Sequence, residues 1–291
     1  MTPSSTRPIG SILVVTADDF GLTAGVSHGV VRAHREGIVT AASILSVGAA
    51  FELACRLARE SPSLSLGVHL AIVGEDPPLL TAREIPTLVD ARGHFPRSWR
   101  TLVARAAARR IDPADVRREF SAQLDRARGI GVPLAHIDTH QHVHLWPDIG
   151  GVTIQLAREH GIRALRIPCS HSRTPVGTAV AVLSRRLRER ATHAGLLVTD
   201  THVGLEESGR IDRVTLARAI RKAARHGPGT AELTVHPGQH GDPELSRFAW
   251  GYGWGRELEA LLDPAARQLV GQVGYRLGSF ADLTTDAEAI T

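Results

Sequence analysis

The chain has 291 residues, 43% hydrophobic and 22% charged, with a formal net charge of +4. This is the profile of a folded globular protein, and it excludes disordered and collagen-like chains. No stretch approaches the ~20 apolar residues of a membrane span, so stable membrane insertion is not expected.

Residues 11–16 (SILVVT) read as a buried strand. A helix is expected over 23–37, with Thr23 as N-cap and Gly37 as its stop. Residues 39–47 contain a second strand, 49–60 a helix that ends before Pro62, and 64–70 (LSLGVHL) a third strand. Residues 71–110 read as a loop or lid insertion, since a long irregular segment after a strand commonly walls a site. Further strands are expected at 134–138, 164–168, 196–201, 231–235 and 273–277, with a helix over 147–160 that carries Pro147 early, where the missing N–H costs little. Alternating β and α segments imply a parallel sheet. About eight such units predict an α/β fold, a distorted (β/α) TIM-like barrel that forms one catalytic domain over 1–291. A doubly wound open sheet is the alternative.

Arginines such as Arg105, Arg117, Arg118, Arg185 and Arg218 carry the positive excess along helical segments. They have no interleaved aromatic residues, so solvated helix faces are expected and no nucleic-acid partner. The first ten residues are polar and do not read as a signal peptide. Cys55 and Cys169 stand far apart, in no metal-type spacing. A reducing, cytoplasmic setting is the expectation. A homodimer is compatible with the helix surfaces, at no identifiable position.

The distinguishing residue is histidine, present 15 times. Active sites of parallel α/β folds gather at the C-terminal strand ends. There this chain places Asp18 and Asp19, then His69, then the run His140, His142, His144, then His236. In an extended segment residues two apart share a face, so the run would put several imidazoles together, which a metal ion resolves. One carboxylate and two imidazoles hold a divalent ion with open positions, and such an ion activates water and polarises a carbonyl. A second carboxylate serves as base, a histidine opposite as acid. Asp138 is placed to orient a ligand histidine. Arg166 is placed to fix Asp18 or contact the substrate. Trp250 and Trp254, with His142 and His144, are the expected substrate contacts.

The segments TADDFGLTAG, LGVHL, HIDTHQHVHLWP, TVHPG and YRLGSFADL, in that order, resemble the YdjC-like carbohydrate deacetylase family. That family includes chitooligosaccharide deacetylases and a hopanoid-biosynthesis-associated branch, which the IPTLVDARGHF stretch resembles in particular. The resemblance spans nearly the whole chain. It implies hydrolysis of an N-acetyl group on a sugar, with Asp19, His69 and His140 as ligands of one divalent metal (Zn²⁺ or Mg²⁺), Asp18 as base and His236 as acid. Hydrolysis of another amide or a phosphoester, or sugar binding without turnover, also suits the residues.

Overall fold

The computed structural model describes residues 11–225, 227 and 229–283. β1 (Ile12–Phe20) leads through α1 (Ala24–Arg35), β2 (Ala41–Ile44) and α2 (Phe51–Arg59) to β3 (Ser65–Leu70). After an irregular stretch come α3 (Trp99–Ala107), α4 (Pro113–Arg128) and β4 (Leu134–Thr139). Then follow α5 (Pro147–Glu159), β5 (Ala164–Leu165), α6 (Pro175–His193), β6 (Thr201–Val203), α7 (Arg213–Ala224) and β7 (Thr230–Val235). The last are α8 (Trp254–Leu262), α9 (Pro264–Gln272) and β8 (Arg276–Gly278). The helix starts follow local chemistry: Thr23 Oγ1 accepts the N–H of Val26 at 3.1 Å, and α4, α5, α6 and α9 each begin with proline.

The sheet runs β5-β4-β3-β2-β1-β7-β6, with β8 also paired to β1 and every pairing parallel. β8 takes the first half of one edge of β1 (Ile12 to Val14) and β2 the second half (Thr16 to Phe20). The two ends of the sheet are drawn together by one segment. Leu197 bonds to Arg163 and Leu165 at the β5 edge, and four residues later β6 pairs with β7. The result is the distorted (β/α) barrel expected from the alternation of elements.

Two-residue alternation divides each strand between the outer helices and the lumen. Leu13, Val15 and Ala17 of β1 pack outward into the main core, while Ile12 and Val14 face a small inner cluster with Ala41, Ala164 and Phe280. That cluster closes the N-terminal end of the lumen, and Phe280 stacks on His136 at 4.1 Å. Above it the lumen is polar, with Ser43, His136, Asp138, Arg166, Glu232 and Thr234 all buried. Gly67 is required there, because a Cβ would lie 2.2 Å from the His136 ring.

Residues 71–110 hold an irregular stretch and then α3. The stretch is anchored to α4 by buried side chains: Glu119 accepts from the N–H of Leu79 (2.9 Å) and Leu80 (3.1 Å), and Asp115 from that of Thr87 (2.8 Å). Among the described residues no helix is long and apolar enough to cross a membrane.

Candidate active site

β1 does not stop before the two aspartates, as the sequence predicts, but runs through them to Phe20. Its register with β2 shifts between Ala17 and Phe20, and Asp19 has a left-handed backbone (φ 61°). In a regular strand neighbouring side chains face opposite sides. The irregularity turns Asp19 to the same rim as Asp18, a use to which strand bulges are commonly put. Aspartate tolerates this conformation better than most residues.

Asp19 Oδ1 then lies 3.0 Å from His140 Nδ1 and 3.5 Å from His69 Nε2, and those two ring nitrogens are 3.3 Å apart. The three groups are buried and offer one atom each to a common point. Asp19 Oδ1 accepts no well-formed hydrogen bond within the protein. His69 donates its other ring nitrogen, Nδ1, to Asp138 Oδ1. Asp138 Oδ2 in turn accepts from Ser43 Oγ at 2.6 Å, and His136 Nε2 stands 2.8 Å from the same hydroxyl. This carboxylate–histidine arrangement fixes the tautomer that leaves Nε2 free for a cation. An unsatisfied buried oxygen beside two converging imidazoles fits a divalent metal.

The electrostatics agree. Burial disfavours ionised Asp19, but His140 and His69 outweigh it and hold its carboxyl well below the usual range. Burial likewise disfavours charge on His69, yet Asp138 and Asp18 raise its pKa to about 10. A site that grips a proton so firmly has the negative field to hold a cation instead.

Arg166 occupies the lumen beneath. Its guanidinium meets Asp18 at 2.7 and 2.8 Å, Asp138 at 2.9 Å and Glu232 at 2.8 Å. Its burial is complete, and its charge draws Asp138 well below the ordinary carboxylate range against the opposing effect of burial. The expectation of a substrate contact at Arg166 is therefore corrected: it fixes Asp18 from behind and does not line the cavity.

The histidine run also departs from expectation. It forms a 3₁₀ segment, His140–Leu145, with Gln141 (φ 52°) and His142 (φ 55°) in left-handed conformations. The three rings therefore diverge. His140 joins the cation cluster, and His142 lines the cavity, 6.1 Å from the His202 ring. His144 turns inward, accepts from Thr139 Oγ1 at 2.6 Å and donates to the carbonyl of Arg166 at 3.0 Å. Its burial is complete, so it is not a substrate contact.

The cavity at this rim measures about 500 Å³. Asp18, Asp19, His69 and His140 line it, together with His236 from the end of β7, Trp250 and Tyr252. Trp99 and Gln141 complete one wall, tied by a 2.7 Å bond from the Trp99 N–H to Gln141 Oε1. Trp250 donates to Glu75 at 3.2 Å and lies 5.2 Å from the His140 ring. Trp254 is the third correction. It opens α8, is 7% exposed, and packs beside Gly238 rather than on the cavity. A smaller groove, about 230 Å³ between α7, α8 and α9, has no histidine in its lining.

Sequence reading missed Ser43, Glu232 and Glu257. The first two sit at lumen positions of β2 and β7, so two-residue alternation carried a signal for them. Glu257 lies on a helix far along the chain and left none.

The model of the family described as YdjC-like protein matches residues 12–272. The chain belongs to the YdjC-like family. A chitooligosaccharide deacetylase from Yersinia enterocolitica is 32% identical over 93% of this chain and 98% of its own. A carbohydrate deacetylase from Geobacillus stearothermophilus is also 32% identical, over 92% of this chain and 96% of its own. Among solved structures, an Enterococcus faecalis protein provisionally named for cellobiose-phosphate cleavage superposes with a TM-score of 0.80 at 25% identity, covering 95% of this YdjC-like chain and 100% of that one.

Proposed function

We propose that this chain is a hydrolase that removes the acetyl group from an N-acetylated sugar or glycoconjugate, releasing acetate. The observation that carries the reading is the convergence of Asp19, His69 and His140 in a cavity that Asp18 and His236 also line. The names of the two relatives supply the substrate class.

Asp19, His69 and His140 would hold one divalent ion, zinc or magnesium, whose chemistry there is to activate water and polarise the acetamide carbonyl. Asp18 is the base. Arg166 grips both of its oxygens and holds it oriented, so it takes a proton from the attacking water. His236, at the end of β7 beside β1, lines the same cavity and returns a proton to the sugar nitrogen as the C–N bond breaks. Without that proton the leaving group is an amide anion, which no neutral site expels. Trp250 offers a face on which a sugar ring stacks, and His142 a polar contact beside it. Asp138 and Ser43 hold the ring of His69.

Metal analysis together with acetate release from N-acetylglucosamine oligomers tests this reading. Wild-type protein is expected to carry about one equivalent of metal and to release acetate. His69→Ala and His140→Ala are expected to lose both. Full metal content and full turnover in either variant would refute the assignment.

A further inference from the structure

Glu257, in the first turn of α8, is a buried carboxylate that the reaction above leaves without a task. It is 0% exposed. Its Oε2 accepts the backbone N–H of His236 at 2.7 Å, and its Oε1 that of Ile211 at 3.2 Å. The same Oε2 lies 4.0 Å from Nδ1 of the His236 ring. That ring nitrogen is buried and has no hydrogen-bond partner. A carboxylate brought this deep needs a reason beyond capping, because burial penalises its charge.

Two roles suit this group. It is either a buttress for the backbone at 209–211 and 236, or it also acts on the ring. The geometry favours the second. The Nδ1 edge of His236 is the one turned to Glu257, and the ring lines the cavity. Tyr252 packs against the ring at 5.0 Å between centroids and limits its tilt. Charged groups on other elements, Asp18 and Asp19 of the neighbouring β1 with His69 and His140, line the same cavity as His236, whereas Glu257 lies beside Nδ1.

We propose that Glu257 is the positioning residue of His236: it holds Nδ1–H toward its carboxylate, which leaves Nε2 aimed into the cavity, and it balances the charge of the protonated ring. This rests on the reading of His236 as the acid. The proton balance is then simple. Nε2–H gives its proton to the sugar nitrogen while the C–N bonding pair moves onto that nitrogen. The ring returns to neutrality and keeps Nδ1–H. A third group that orients an acid or base in this way is a general device of acid–base sites.

The test compares wild type with Glu257→Gln on two probes, N,N′-diacetylchitobiose and p-nitrophenyl acetate. The amide needs a protonated leaving group, whereas p-nitrophenolate leaves without one. Turnover of the amide is expected to fall about 10- to 100-fold, a part of what general acid catalysis supplies. KM should stay within about twofold, because ground-state binding is untouched. The loss on the aryl ester should be at least about tenfold smaller. Equal losses on both probes would reduce Glu257 to a buttress and overturn the proposal. Nitrogen-15 NMR of wild type alone gives a second measurement that does not depend on the variant folding. The neutral His236 ring is expected as the Nδ1–H tautomer, and an Nε2–H tautomer would overturn the assignment. If wild type released no acetate from any N-acetyl sugar, the deacetylase reading would fall while the tautomer still decided the role of Glu257.

Discussion

Arg166 holds both oxygens of Asp18, at 2.7 and 2.8 Å, from a position wholly out of solvent. The same guanidinium reaches Asp138 and Glu232, so one cation joins Asp18, the carboxylate behind His69 and a third strand. Removing it strands three buried carboxylates. Arg166→Met is expected to cost about 3–5 kcal/mol, the range seen when one partner of a buried pair is deleted. Urea unfolding measures it. Arg166→Lys keeps a charge but not the two-pronged grip. It should fold and turn over more slowly, and a loss of stability below about 1 kcal/mol in Arg166→Met would show that the network is not coupled as described.

Asp138→Asn bears on His69 rather than on Asp18. The amide can no longer accept from His69 and Ser43 as a carboxylate does. Metal affinity is expected to fall about 10- to 100-fold, as for other orienting partners of ligand histidines. Calorimetric titration of metal into the stripped protein reads it directly. Unchanged affinity would mean that Asp138 does not set the ring of His69.

Acid stability follows from the buried imidazoles. Burial lowers the His144 pKa from 6.5 to about 4. The unfolded chain takes up this proton as pH falls through 6.5, whereas the folded chain does not until about 4. The contribution is thus fully present above pH 6.5 and is lost as pH falls, by about 3 kcal/mol in all. His142 and His202, also driven down mainly by burial, act with the same sign. Unfolding free energy of metal-free protein, measured from pH 7 to 4, should fall more steeply in wild type than in His144→Gln. Parallel curves would remove His144 from the account.

Close backbone packing positions His236. A Cβ on Gly29 of α1 would come within 2.6 Å of the Gly238 Cα, two residues beyond His236. The contact is backbone, which cannot swing aside. Gly29→Ala is expected to cost about 1–3 kcal/mol, the usual price of overpacking. It should also lower kcat by moving the loop, while metal content is unchanged because the cation cluster lies on β1, β3 and the turn after β4. A thermal melt and a metal assay check both halves. Loss of metal in this variant would contradict the separation of the two parts of the site.

The sequence by itself determined the order of strands and helices, the parallel sheet and the list of strand-end residues from which Asp19, His69 and His140 come together. These are local properties. Strand and helix periods, caps such as Thr23 and the placement of Asp19, His69 and His140 after apolar runs are all written within a few residues of each position. Alternation carried a signal for Ser43 and Glu232 as well, although reading the strand ends alone passed over them.

Only the tertiary structure decided how those residues share the work. Arg166, expected at Asp18 or at the substrate, and His144, expected at the substrate, both lie inside the lumen, because their partners come from segments distant in sequence. The run His140, His142, His144 looks like one face in an extended segment, but left-handed backbone at Gln141 and His142 sends the rings three ways. Glu257 reaches His236 from a helix 21 residues on, and no local pattern announces it. The physical reason is the same in each case. A side chain's direction follows from local backbone geometry, whereas the partner that satisfies its charge in a buried lumen is chosen by the closure of the whole barrel.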